Sequence, residues 1–370
     1  MEHNRCGFRF LRVLGEAAEE KAMSFVGKLA VVTVVGSVMD RATLSVAGRA
    51  GAKMAAASIS LLVFLSSASA QERLERVNLA IPVTALSQLP SYAGVRFGLF
   101  REEGLDVQIV LMNGRLIGPA LLQGDLDYST LADTMMRAAT TGLPVKVLAF
   151  GGIRPALALN VRPEIKTGAD LKGKSIAVTS IGSTTDIVAR EIVRSFGLNP
   201  ERDIVTQGLG SQANNQTALR TGAVAAALFT PPYDVIAEKE GFRVIAWAGD
   251  VIKEQLQAGL VTADNKIARN PAQVKRMVRG FIKSLVFLRK EKNQVVEMIA
   301  KQWKIEPDIA EKSYQVMIKT FSANGSASDS AIENVIQQTL KANKSQKQVS
   351  HAQVANLAFL EDAQKELGLR

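Results

Sequence analysis

DLKGKSIAVTSIGSTTD, residues 170–186, passes from a polar lead-in through an apolar run to a glycine turn and a hydroxyl-rich segment. The run 175–179 predicts a buried strand, Gly182 a tight turn, and Ser183-Thr184-Thr185-Asp186 the first turn of a helix. Ser183 and Asp186 have the S-x-x-D spacing of a capping box. Val188, Ile192 and Phe196 then fall on one helical face, and Gly197 suits the left-handed position that ends the helix. Such a start offers free backbone N–H groups, a partial positive charge and small hydroxyls, which can hold a small anion or polar head group without a charged side chain.

Two nucleotide motifs overlap this region and fail on context. Residues 168–175, GADLKGKS, satisfy G-x-x-x-x-G-K-[ST], but a phosphate loop follows a strand and opens a helix, whereas Ser175 opens a strand. Residues 208–213, GLGSQA, match G-x-G-x-x-A, yet the next strand runs into Thr230-Pro231-Pro232 with no carboxylate at its end to hold a ribose. The plainer reading is a glycine turn at a second helix start.

Working outward, the second half of an alternating series follows from this stretch: strands at 204–207, 225–229 and 244–247, helices at 212–221 and 233–240. A first series precedes it, with strands at 77–81, 105–111, 126–129, 145–150 and 156–161 and helices at 90–99, 117–123 and 134–140. Alternation at this length implies mostly parallel sheets with helices on both faces, and two such series imply two lobes. After a last strand at 260–262 the chain is helical: Pro271 opens a helix carrying Val274, Val278, Phe281, Leu285 and Leu288 at spacings of four and three, and further helices are expected at 307–318, 329–340 and 354–367. Residues 343–350 form a polar loop.

The N-terminal part stands outside this pattern. Residues 39–53 hold Arg41, Arg49 and Lys53, 54–65 form a short apolar core, and Ala68-Ser69-Ala70 is an A-x-A cleavage site, so 39–70 read as a signal peptide cut after Ala70. Its apolar run falls well short of the ~20 residues that span a bilayer. Residues 1–38 read as an upstream extension, with Met39 or Met54 an alternative start. The only cysteine, Cys6, lies in that extension, so the exported chain has no disulfide, thiol nucleophile, thiolate metal site or lipidation cysteine, and a periplasmic location is expected.

Formal net charge is +10. The basic residues recur at solvent-facing helix spacings and aromatic residues are few, which argues against a nucleic-acid partner and leaves at most a steering field for an anionic ligand. Catalytic signatures are missing too: His351 is the sole histidine after the leader, no G-x-S-x-G or H-E-x-x-H occurs, and nothing implies a metal or cofactor. The paired carboxylates Asp125/Asp127 and Glu102/Glu103 read as surface-turn residues. What remains is a binding site. Ligands gather beyond the carboxyl ends of parallel strands, and those ends read PVTALSQLPSY (82–92), Asn113-Gly114-Arg115, 130–134, 180–185, Gly210-Ser211-Gln212 and Phe229-Thr230-Pro231. Most are small hydroxyl, glycine or amide residues, with Tyr92 and Phe229 as apolar walls.

The segments LPSYAGVRFGLFREEGLDVQIV, ALLQGDLDYSTLADTMMRAATTGLPVKVLA, DLKGKSIAV, GLNPERDIVTQGLG, RTGAVAAALFTPP and EKEGFRVIA resemble the sulfonate, nitrate, taurine and thiamine-precursor branch of ABC-transporter substrate-binding proteins, over about 74–321. The resemblance implies an α/β, two-lobed type II periplasmic-binding fold with a helical C-terminal extension: 74–160 and 258–370 in lobe 1, 161–257 in lobe 2, and hinge strands near 156–161 and 259–262. It implies ligand contacts at Ser87, Gln88, Tyr92, Gly114 and Asp133 in lobe 1 and at Ser180, Gly182, Ser183, Thr184, Ser211 and Thr230 in lobe 2, with Phe229 beside them. The implied role is to capture a small solute as a monomer and hand it to an inner-membrane permease. The helix starts and hydroxyls favour a sulfonate-, carboxylate- or nitrate-like anion; the alternative is a thiamine-precursor pyrimidine or other aromatic nitrogenous solute stacked on Tyr92 and Phe229. An exported enzyme is the rival of another class, and a sensory role beside a membrane receptor a third. Two departures stand out. Ala225 replaces the aspartate that often follows G-x-V in the family, and the cysteine cluster and histidine of the fungal pyrimidine-synthase branch are missing.

Overall fold

The computed structural model describes residues 74–369. The chain builds β1 (Glu75–Ile81), helix α1 (Leu89–Arg96), β2 (Leu105–Leu111), α2 (Gly114–Gln123), β3 (Tyr128–Ser129), α3 (Ala132–Thr140) and β4 (Val145–Phe150), then crosses to a second sheet. There it forms β5 (Ala158–Val161), β6 (Lys174–Val178), α4 (Thr184–Ser195), β7 (Ile204–Gly208), α5 (Gln212–Thr221), β8 (Ala226–Phe229), α6 (Tyr233–Lys239), β9 (Arg243–Trp247) and α7 (Ala248–Val251). It crosses back as β10 (Gly259–Ala263) and continues through α8 (Asp264–Arg269), α9 (Pro271–Lys290), α10 (Lys292–Trp303), α11 (Pro307–Met317), α12 (Asp329–Ala342), α13 (His351–Val354) and α14 (Ala358–Glu366).

The sheets have one design. Strand order is β2-β1-β3-β10-β4 in the first and β7-β6-β8-β5-β9 in the second. β1 runs parallel to β2 and β3, and β6 parallel to β7 and β8. In each sheet the strand that arrives from the other lobe, β10 or β5, is the reversed one and pairs antiparallel on both sides. The fold is the α/β, two-lobed, mostly parallel architecture expected from the alternation.

The long helix α9 is the centre of the first core. Its Val274, Val278, Phe281, Leu285 and Leu288, the residues whose spacing marks it in the sequence, are all buried against Leu89 and Ala93 of α1 and Leu360 and Ala363 of α14. The second lobe packs Val188, Ile192 and Val193 of α4 onto Ile176 and Val178 of β6 and Leu228 of β8. Gly168, the first glycine of the phosphate-loop match, explains itself here: a Cβ at that position would lie 2.1 Å from the Phe196 ring at the end of α4. The motif is a packing site, and Ser175 lies within β6.

Two readings are corrected. The helix expected over 354–367 is two helices, because the chain between α13 and α14 lies beside β4: Ala355 bridges Val147, and the Asn356 N–H donates to the Val147 carbonyl at 2.9 Å. A single helix through 354–367 would leave that edge bare. Glu103 is also no surface residue: it is 4% exposed and sits between Arg279 (Nε 2.6 Å) and Lys283 (Nζ 2.8 Å) of α9. Burial pushes its carboxyl up, but the bonds to Arg279 and Lys283 outweigh it and hold the group below the usual range. Asp127 likewise accepts from the Asn78 N–H at 2.8 Å and Lys266 Nζ at 2.5 Å. These carboxylates join the first sheet and its turns to α8 and α9.

Asp234 is the opposite case. It begins α6 with 0% exposure, and neither carboxyl oxygen has a hydrogen-bond partner. The Asn160 amide donates to its backbone carbonyl at 3.2 Å instead, leaving the Asn160 Oδ1 unpartnered as well. Burial raises the carboxyl to about 7, with Glu238 adding to the rise; the Val235 and Asp234 amides oppose it without closing a hydrogen bond. The folded protein therefore holds a proton that the unfolded chain releases near pH 4. Its stabilisation is full below that pH and fades as pH rises through about 7. Asp234→Asn is expected to remove most of this slope, on the order of 2 to 4 kcal/mol across the interval, and melting temperatures measured from pH 4 to 8 check it: wild type falls with pH and the variant stays flatter.

Candidate functional site

A groove of about 740 Å³ opens where α3, α4, α12 and the connection 252–256 meet, within the about 300–1,000 Å³ typical of small-molecule sites. Its walls come from both lobes: Asp133 and Arg137 of α3 and Asn334, Val335 and Gln338 of α12 on one side, Gly182, Ser183, Thr184, Ile187, Val188 and Glu191 at the start of α4 on the other. Ile252, Glu254, Gln255 and Leu256 lie between them.

The start of α4 does not close on itself as its sequence suggests. Ser183 is the N-cap residue, but its hydroxyl donates to the Ser180 carbonyl at 2.6 Å and no side chain caps the first-turn amides. Asp186 accepts from the Gly182 N–H at 2.9 Å and Arg190 Nε at 3.1 Å. Gly182 sits at φ +77°, a conformation that disfavours other residues, and this lets the turn fold back under the helix. Burial works against the Asp186 charge; the bonds from Gly182, Thr206 and Arg190 prevail and hold the carboxyl low. The turn is thus braced from behind by Asp186, and the uncapped helix start faces the groove with its partial positive charge.

Opposite lies Arg137, the groove's lining cation. Its Nε is 3.2 Å from Asp133 Oδ2, its Nη2 3.1 Å from Asp133 Oδ1 and 3.3 Å from Gln338 Oε1. Glu254 accepts from the Ser328 N–H at 3.0 Å and from the Ser328 hydroxyl, and Ser328 in turn caps α12 by accepting from the Ala331 N–H at 3.1 Å. Glu191 is paired outward with Arg194 at 2.6 Å. Gln255 Oε1 is buried without a partner. The groove therefore offers donors at the start of α4 and on Arg137, acceptors along Glu254 and Gln255, and an apolar wall of Ile187, Val188, Ile252, Leu256 and Val335.

Four of the twelve residues singled out in the sequence, Asp133, Gly182, Ser183 and Thr184, line this groove. Ser180 is exposed on the same turn, its hydroxyl on the Thr179 carbonyl at 2.8 Å. The others lie at neighbouring strand ends. Gln88 is buried at the start of α1 with Oε1 unpartnered, its amide 3.4 Å from the Ser87 hydroxyl. Thr130, at the end of β3, is likewise buried with a free hydroxyl. Tyr92 is half-buried and meets Trp303 edge to face at 5.5 Å; burial raises its phenol, with Thr84 opposing. Gly114 opens α2 behind its cap Asn113. Ser211 caps α5 by accepting from the Asn214 N–H at 3.1 Å. Thr230 is engaged with Gln212 through its N–H (3.0 Å) and hydroxyl (2.7 Å), and Phe229 is fully buried, its ring 6.4 Å from that of Tyr233. Arg137, Glu254, Gln255 and the α12 residues were not anticipated. Arg137 follows Asp133 by four residues, the one signal that pointed to the pair; α12 carries none, because Gln338 meets Arg137 across 201 residues of sequence.

Among curated proteins, none matches the sequence. Solved structures match with high coverage. A putative periplasmic sulfonate-binding protein SsuA of a sulfonate ABC transporter from Methylobacillus flagellatus KT has a TM-score of 0.63 at 19% identity, over 80% of this chain and 96% of that one. The periplasmic aliphatic sulphonate binding protein SsuA from Escherichia coli gives 0.60 at 21% identity, over 76% and 92%. The desulfurization enzyme DSZB gives 0.58 at 14% identity, over 79% and 99%. These likenesses establish the fold, which serves binders and at least one enzyme. Sequence carries the assignment further: the NMT1-like family model matches residues 71–301, most of the chain, and the protein is a member of the NMT1-like family.

Proposed function

We propose that this protein is the solute-binding component of an ABC importer, exported to the periplasm, which captures a small organic anion between its lobes and delivers it to a membrane permease. The observation that carries this reading is the uncapped start of α4 opening into a two-walled groove beside Arg137. Backbone amides and a helix dipole hold a sulfonate-, carboxylate- or nitrate-like head without the desolvation cost of burying a second charge. Ile187, Val188, Ile252, Leu256 and Val335 form the apolar wall available to the rest of the solute. A monomer suffices for this role, since both walls come from one chain.

A second reading, a thiamine-precursor pyrimidine or other nitrogenous solute, is favoured by the acceptors. Asp133, Glu191 and Glu254 line the groove against the single cation Arg137, which is already bound to Asp133, and Gln255 Oε1 lacks a donor. The exocyclic amino group of such a solute would supply a donor. Catalysis is the rival class because DSZB shares the fold. Here the described histidine, His351, lies 3.0 Å from Glu333 and does not line the groove.

Thermal unfolding in the presence of alkanesulfonates, nitrate, aromatic carboxylates and pyrimidines tests the class, since a ligand bound only by the folded state adds about 2.7 kcal/mol at a hundredfold excess over Kd. A shift with the anions and none with the pyrimidines is expected; the reverse establishes the second reading, and turnover of any of them establishes the rival. Ser183→Asp places a carboxylate at the α4 start. It is expected to weaken an anion at least tenfold in titration calorimetry, a difference of about 1.4 kcal/mol; unchanged affinity would remove the α4 start from the site.

A further inference from the structure

Away from the groove, two helices of different lobes meet end to end. α6 lies against the second sheet, with Ala237 in a core shared with Ala177, Ala227 and Phe229. α11 belongs to the first lobe, its Ala310, Tyr314 and Met317 packed with α9. Lys239, the last residue of α6, places Nζ on Glu306 and 3.0 Å from Asp308 Oδ2. Glu306 is the N-cap of α11 and Asp308 lies in its first turn. Each charge sits at the helix end whose partial charge favours it, a cation at a C-terminus and anions at an N-terminus. Among the described residues, Lys239 makes the only ion pairs between a helix of the second lobe and one of the first. The other ion pairs between described residues, from Arg101 with Asp106 to His351 with Glu333, join residues of one lobe, and no residue of α6 or α11 lines the groove.

We infer that Lys239 with Glu306 and Asp308 is an electrostatic latch that favours the approached arrangement of the lobes and makes solute capture sensitive to ionic strength. The inference rests on the capture reading above and adds that the lobes open and close about the crossing connections. The three side chains keep 46%, 67% and 55% of their exposure. They therefore meet without the desolvation cost of a buried pair, and salt screens them. A contact of this kind biases without locking: exposed pairs shift an equilibrium by up to about fivefold, enough to set the resting fraction of closed protein and small enough for a solute to override. A buried pair in the same place would hold the lobes shut.

The test is a distance between lobes. In the full chain with Cys6→Ser, spin labels at Thr217→Cys on α5 and Asn293→Cys on α10, both exposed, report the separation by double electron–electron resonance. At about 20 mM salt Lys239→Ala is expected to raise the long-distance population about fivefold, and about 0.5 M salt to do the same to wild type and little to the variant. Lys239→Glu should open the lobes further, and Lys239→Glu with Glu306→Lys and Asp308→Lys should restore the wild-type distribution. A low-salt distribution unchanged by Lys239→Ala and Lys239→Glu overturns the latch. If methanesulfonate or an aminopyrimidine still shortens the distance in those variants, only the latch falls; if no solute, salt or variant moves it, capture by closure falls with it.

Discussion

Backbone hydrogen bonds between the two crossing connections are the constraint on which the rest of the molecule depends. The N–H groups of Gly151 and Gly152 both donate to the Ala258 carbonyl at 2.8 Å, Gln257 N–H donates to Gly152 at 2.9 Å, and Gln255 N–H to Ile153 at 2.8 Å. The ladder is tied to its surroundings: Ser322 N–H donates to Gly151 at 2.7 Å, Ile153 N–H to Thr320 at 2.9 Å, and Asp133 N–H to Gln257 at 3.2 Å. A peptide group left unpaired there would cost as much as a lost hydrogen bond, so the two passages hold one another. A change of angle between the lobes has to be absorbed by dihedral changes in these few residues.

The same passages place the chemistry. Gln255 belongs to the ladder and to the groove at once, Leu256 beside it lines the groove, and Glu254 just before them holds the cap of α12. The carboxylate that the connection contributes to the groove also orients a helix of the C-terminal extension, and that helix returns Asn334 and Gln338 to the groove wall. Gln338 in turn meets Arg137, which Asp133 has already oriented. Groove, crossing connections and extension are parts of one hydrogen-bonded circuit, and the polarity of the groove follows from that circuit as much as from the strand ends that face it.

The fold was legible because its signals are local. β2, β4 and α5 fall at 105–111, 145–150 and 212–221, where apolar runs and glycine or proline punctuation place them, and Pro271 marks the start of α9. The groove was legible only where it rests on such signals, as at the turn around Gly182. Even there the S-x-x-D pattern gave the position of the helix and misled about its cap, because Arg190 and the Gly182 N–H compete for the Asp186 carboxylate and win. The α12 wall could not be read at all. Asn334 and Gln338 look like any polar residues on a solvent-facing helix, and only the packing of the extension turns them inward. The burial of Glu103 was hidden for the same reason: its partners, Arg279 and Lys283, lie more than 170 residues on.

The break between α13 and α14 has a consequence for how the protein behaves in a crowded compartment. β4 ends the first sheet, and an uncovered edge strand offers its free N–H and C=O groups to any passing chain. Here the stretch that interrupts the helix lies along it, with Ala355 in register with Val147 and Asn356 bonded to the Val147 carbonyl. Lys146, beside them, reaches the Gln353 carbonyl at 2.7 Å. Residues 353–356 thus occupy part of the edge that a second molecule's strand would need, so growth of this sheet between molecules would first have to displace them.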